Sequence, residues 1–184
     1  CQTRDFILVT KTNQQTHNMA KALFISSKDI VKYTNMNGSV DPDTYVQFIY
    51  QAQQVHIQNY LGTRLYDRIN NDIVAGTLTA PYAALLEDYI KFMVVWYSMV
   101  EFLPYASIKI NEKGVFKHTS ENATNVDKTE VDFLIEKARD TAQSYTNRFI
   151  DHMTFNQVLF PEYNLNSNGD VYPDKDANFV GWIL

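Results

Sequence analysis

Four histidines, a single cysteine and 21 acidic side chains are the groups of this chain best suited to hold a metal or move a proton. His17, His56, His118 and His152 stand far apart, and none falls in an HExxH or HxH arrangement, so no local zinc-binding pair is present. His56 lies between Val55 and Ile57 in a helical pattern, where packing or solvent contact is the simpler reading than catalysis. Cys1 is the only cysteine, which leaves no intrachain disulfide and no CxxC-type metal site. No serine or cysteine stands in a recognisable pairing with a histidine, so a hydrolase triad has no support.

Asp174-Lys175-Asp176-Ala177-Asn178 starts like a calcium-binding loop. Such a loop needs glycine at its sixth position and a bidentate glutamate at its twelfth. Here the sixth residue is Phe179, and the twelfth would fall beyond Leu184, so a turn is the better reading. Glu87 and Asp88 are adjacent and cannot face each other on a helix, which argues against a carboxylate dyad. Neither GxxxxGK[ST] nor GxGxxG occurs, so a standard phosphate-cradling loop is not indicated. Lys109, Lys113, Lys117 and His118 gather in one short stretch. They suit either contact with phosphates or an acidic neighbour, or the solvated edge of a hairpin.

The elements that would position these groups are mostly helical. The chain has 184 residues, 45% of them apolar, enough for one domain with extensions. Its net charge of −5 provides no overall basic field for nucleic acid, although a local basic patch stays open. Twelve tyrosines and eleven phenylalanines suit interfaces as well as cores, because a tyrosine can bury its ring and keep its hydroxyl wet.

Ser26 or Ser27 can cap a short helix carrying Ile30, Val31 and Tyr33, after a strand-like lead at Leu23-Phe24-Ile25. Asp41 and Pro42 are an N-cap and a first helical residue. Val40 and Tyr45 stand at the positions of a hydrophobic staple. Tyr45, Phe48, Ile49, Ala52 and Val55 follow helical spacing, and Val46, Tyr50, Ile57 and Leu61 form a second stripe. A helix apolar on two faces packs against two neighbours. Gly62 is expected as a C-cap, with the next helix (Leu65, Ile69 and Ile73 inward) turning back as a hairpin and ending near Gly76.

A long helix is expected from about Pro81 to Leu103, stopped by Pro104. Its second half, FMVVWYSMVEFL, is apolar nearly all round but too short for a membrane span, which needs about 20 residues. It is either a central core helix or one buried partly by other subunits. Residues 105–120 switch to a strand pattern, with a turn at Asn111 to Gly114, and predict a β-hairpin or extended loop. Asp127 with Glu130 suggests a capping box. The helix after it carries one continuous stripe of Val131, Leu134, Ile135, Ala138, Ala142, Tyr145, Phe149 and Met153.

From about Thr154 the helical period stops, yet Phe155, Leu159, Phe160, Tyr163, Tyr172, Phe179 and Trp182 follow. A freely disordered tail is normally poor in such residues. The tail therefore docks, either on its own domain or on a neighbour. Residues 1–18 are polar apart from Phe6–Val9, whereas the stretch from Met19 looks like an ordinary protein start. Met19 is the expected initiator, and residues 1–18 a non-native or flexible extension.

The run from Phe24 to Ile69 resembles the N-terminal part of head–tail connector (adaptor) proteins of tailed bacteriophages, above all the versions in crAss-like and related phages of Bacteroidetes hosts. The resemblance is carried by Phe24-Ile25-Ser26, the Asp41-led helix with Gln54, His56 and Ile57, and Leu61-Gly62-Thr63-Arg64-Leu65-Tyr66. The apolar helix, the hairpin around Lys113-Gly114 and the last amphipathic helix follow in the family's order, so the likeness spans roughly Leu23 to Met153. It implies a structural virion protein, not an enzyme, with no cofactor and no metal. It further implies a homo-oligomeric ring, commonly dodecameric, that is assembled in the host cytoplasm, docks on the portal at the head–tail junction and presents a platform to the next neck or tail protein. DNA would pass through the ring without sequence-specific binding, and no membrane is involved.

The expected fold is mainly α: a bundle of about four to five helices, one β-hairpin or extended loop at about 105–120, and an extended C-terminal tail. The expected parts are 1–18, a helical connector domain at 19–153, and a C-terminal arm at 154–184. Candidate interface residues are Lys109, Lys113, Val115, Phe116 and Lys117 on the hairpin, and Tyr172, Phe179, Trp182 and Leu184 on the tail. The alternatives are another neck, tail-completion or scaffold-binding module, and a small-molecule enzyme with a pocket inside the bundle.

Overall fold

A computed structural model describes residues 21–36, 38–106, 108–111, 114–117, 128–165 and 170–176, the backbone alone for 108–111 and 114–117. The fold is a mainly α-helical bundle with one β-hairpin and an extended C-terminal segment laid against it. In chain order the helices are α1 (Ser27–Tyr33), α2 (Val46–Ala52), α3 (Gln58–Ala75), α4 (Tyr82–Leu85), α5 (Lys91–Phe102), α6 (Lys128–Phe155) and α7 (Pro161–Asn164). Strands β1 (Ile108–Asn111) and β2 (Gly114–Lys117) pair antiparallel, with Asn111 opposite Gly114 and Ile108 opposite Lys117.

Local sequence explains most boundaries. Ser26 is the N-cap of α1, and its N–H donates to the Asp29 carboxylate at 2.8 Å. The Asp41 side chain accepts from the Asp43 N–H at 3.1 Å and opens a 3-10 turn, Pro42–Thr44, that leads into α2. Gly76 ends α3 in the left-handed conformation, at φ 66° and ψ 27°. Pro104 lies in a 3-10 turn that closes α5. The proposed cap Asp127 lies outside the described residues.

Both long helical stretches carry a π turn, at Gln53–Ile57 between α2 and α3 and at Leu86–Ile90 between α4 and α5. The first changes which residues face inward. A π turn adds a residue to one helical turn and shifts the phase of everything after it. Gln53 and Ile57 are consequently buried, while Val55, expected on the inner stripe, is exposed.

Gly62 differs from its expected role as well. It sits at φ 72° and ψ 155°, a region open essentially to glycine alone, and not in the left-handed helical conformation of a C-cap. The hairpin itself forms. Gln54 Nε2 donates to the Tyr66 hydroxyl at 2.7 Å, although an uninterrupted helix would separate the two residues by about 18 Å at 1.5 Å per residue.

Helix α5 packs against both α2 and α6. Ile49, Leu61, Leu65, Ile69, Ile90, Met93 and Phe149 are fully buried in one cluster. Each large apolar side chain contributes roughly 1.5–3 kcal/mol relative to exposure. The lead at Leu23-Phe24-Ile25 pairs with side-chain amides instead of a strand. The Phe24 N–H donates to Gln53 Oε1 at 2.8 Å, Gln53 Nε2 donates to the Ala22 carbonyl at 3.0 Å, and the Ala22 N–H donates to Asn70 Oδ1 at 2.9 Å. Beyond Thr154 the chain is less extended than its composition suggests. α6 runs on to Phe155, and α7 places Tyr163, beside Phe160, in the bundle core.

Candidate interaction surfaces

The apolar stripe of α6 is longer than the core that covers it. Ala138, Ala142, Phe149 and Met153 are buried, whereas Leu134 is 46% exposed and its neighbour Phe133 66% exposed. Trp96 and Met99 on α5 and Leu103 in the 3-10 turn that closes it follow i, i+3, i+7 spacing and border the same region. Together with Leu134, Ala138, Phe102 and the end of α1 at Thr34–Met36, they line an open groove of about 450 Å³. Among the described residues that line it, Lys137 is the only charged one. The all-round apolar character of α5 thus has two uses: Val94, Val95 and Tyr97 are buried in the bundle, and its Trp96–Met99 edge borders the groove.

A second apolar surface lies at the far end of α6. Phe155 is 87% exposed and Val158 94%, and Leu159 beside them is half exposed. Asp151 stands one turn before Phe155 on the same helix face. From Asp151 to Asp174 inclusive the chain carries four carboxylates and neither lysine nor arginine.

The C-terminal segment is seated at the Gly62 break. The Thr63 N–H donates to the Val171 carbonyl at 3.0 Å, the Val171 N–H donates to Thr63 Oγ1 at 2.9 Å, and the Asp174 N–H donates to the Asn59 carbonyl at 2.8 Å. These bonds satisfy backbone groups that a helix break leaves without intrahelical partners. Of the two docking modes expected for the tail, residues 171–174 show docking on their own domain. Asp174 Oδ1 accepts from the Asp176 N–H at 2.9 Å, a local turn in place of the start of a calcium loop.

Polar side chains inside the bundle form connected pairs. His56 stacks on Tyr97 with ring centroids 4.4 Å apart, and its Nε2 lies 2.7 Å from Glu101 Oε1. Gln51 Nε2 donates to the other Glu101 oxygen at 2.6 Å. His152 stacks on Tyr89 at 4.2 Å, and burial, followed by the Arg148 guanidinium, lowers its pKa while Asp88 opposes the shift. Tyr82 donates to Glu162 at 2.6 Å, and burial with that carboxylate pushes its hydroxyl up to about 12. Burial, with the charges of Asp174 and Tyr172, likewise pushes the Tyr163 hydroxyl up to about 12. Glu87 pairs with Lys91, one turn on, and Lys91 lies 3.5 Å from Asp29. Among the described residues no three His, Cys, Asp or Glu side chains gather where they could hold a metal, and no helix is long and apolar enough to cross a membrane.

The candidate interface residues separate into three groups. Lys109, Val115, Phe116 and Lys117 lie on the paired strands, Lys109 opposite Phe116 and Ile110 opposite Val115. Lys113, Phe179, Trp182 and Leu184 lie outside the described residues, as do His17 and His118. Tyr172 is on the seated segment and mostly exposed, with Lys175 Nζ 5.9 Å from its ring centroid. Sequence reasoning missed the groove and the Phe155–Leu159 surface. The signal was available in the α6 stripe, which begins at Val131, a full turn and more before the first residue that the core covers.

The chain belongs to a family of unknown function (DUF6712), matched over residues 57–173. No curated protein and no solved structure matches it.

Proposed function

We propose that this member of a family without an assigned function is a structural, non-enzymatic virion protein of a tailed phage. In this reading it is a head–tail connector that assembles as a ring on the portal, joins the DNA-filled head to the neck or tail, and lets DNA pass without sequence-specific binding. The observation that carries the reading is the uncovered end of the α6 stripe together with the apolar edge of α5. A monomeric domain rarely leaves such surface without a use, and the usual one is contact with another protein. The order of elements supports it too: capped helix, Gly62 hairpin, apolar helix, β-hairpin and long amphipathic helix follow the arrangement that the connector resemblance implies.

The polar pairs described above bind one another instead of converging on a cavity. The groove is lined mainly by apolar side chains with one lysine, which suits a protein contact better than a reaction. Electron microscopy of the purified protein mixed with its cognate portal is the direct test. Density for this chain beneath the portal is the expected result. Failure to bind portal or any neck component, alone or in mixture, would overturn the reading.

A further inference from the structure

We propose that the α5–α6 groove and the Phe155–Leu159 surface are the two halves of one heterologous contact, so that the groove of one copy receives the apolar end of a second copy of this chain. The inference rests on reading the chain as an assembly subunit and deepens it by assigning the self-contact to two named surfaces.

Among the described residues neither half is covered by its own chain. Leu134 and Phe155 belong to one continuous helix of 28 residues and are 21 positions apart, about 32 Å at 1.5 Å per residue. A single rigid helix between them prevents either end from folding onto the other, so the two can meet only between copies. Their shapes are complementary, the one a groove of about 450 Å³ and the other an apolar projection with Val158 almost wholly in solvent.

Their charges are complementary as well. Lys137, on the groove, follows Leu134 by three residues, and Asp151 precedes Phe155 by four. Seating Phe155, Val158 and Leu159 beside Trp96, Met99 and Leu134 would bring Asp151 of one copy towards Lys137 of the next. Complementary rims fix orientation and register more than they add affinity. Two different patches on each copy make a head-to-tail contact, which repeats until it closes on itself or runs on as an open chain.

The test is sedimentation analysis of the full chain and its surface variants. The wild-type mass should rise with concentration beyond that of a dimer. V158D and L134D should each weaken self-association by about tenfold or more, because each puts an unpaired charge into a desolvated contact. Mixed in equal amounts, they should form a dimer and nothing larger, since each retains the surface that the other lacks. A V158D chain that still self-associates fully would mean a groove-to-groove contact and would overturn the proposal. So would a wild-type chain that stays monomeric at its highest soluble concentration.

Circular dichroism establishes that the variants are folded. If L134D unfolds, the exposed pair K137E and D151K replaces it, each weakening association alone and restoring it when combined in one chain. Portal binding without self-association would sink this inference and leave the connector reading standing, whereas self-association without portal or neck binding would do the reverse.

Discussion

Gly62 and Pro173 are in such close contact that a Cβ added to the glycine would lie 2.6 Å from the proline Cγ and 2.7 Å from its Cδ. The glycine is therefore required twice, by its φ of 72° and by the ring that covers it. Gly62→Ala should destabilise the chain by at least about 1–3 kcal/mol from the backbone alone. Pro173→Ala should relieve the clash but leave the backbone strain. The double variant should then be less destabilised than the sum of the singles, with a coupling of about 0.5–3 kcal/mol, measured by urea denaturation. Strict additivity would show that the two residues do not touch in solution.

Removing residues 170–184 tests the seat as a whole. The truncation frees the Thr63 N–H, the Thr63 hydroxyl and the Asn59 carbonyl from their partners in the segment. At about 1 kcal/mol for each bond, a loss of about 2–3 kcal/mol is expected. The Thr63 amide should also exchange its hydrogen faster than in the full chain. Unchanged exchange at Thr63 would mean that the segment does not hold the hairpin.

Gln53 shows how a buried amide can replace a strand. Its side chain is fully buried and bonds both the Phe24 N–H and the Ala22 carbonyl. Gln53→Leu keeps much of the volume and leaves both backbone groups without that partner, at about 1–3 kcal/mol for each orphaned group. Loss of amide protection at Phe24, with the α5–α6 core still protected, is the expected signature. Global unfolding without local opening would instead make Gln53 part of the common core.

What the sequence revealed and what it hid have separate causes. The hairpin at Gly62, the stop at Gly76, the β1–β2 pairing and the α6 stripe were legible because each depends on residues within a few positions of one another. The inward face after Ala52 was not, because a π turn shifts helical phase without any residue type that announces it. The Pro173 seat was hidden for another reason: it joins residues more than a hundred positions apart, and neither looks unusual alone. The groove was half legible. Periodicity displayed an apolar stripe, but which of its turns the chain itself would cover depends on where α5 ends against α6.

His152 gives the bundle a pH dependence with a defined sign. Burial, and then the Arg148 guanidinium, lower its pKa below the ordinary 6.5, with Asp88 opposing. Tyr89 and Phe160 face the ring, and Asn156 Nδ2 lies 3.3 Å from its Nδ1. A lowered folded-state pKa means that the native chain favours the neutral imidazole. The resulting stability is fully present above the unfolded value and is lost as pH falls through the folded one. The thermal midpoint should therefore fall as pH drops from about 7 to about 5. His152→Phe keeps a ring against Tyr89 and removes the proton, so its midpoint should fall less over the same range. Parallel pH profiles for wild type and H152F would assign the acid sensitivity to other groups and show that His152 is protonated without cost in the fold.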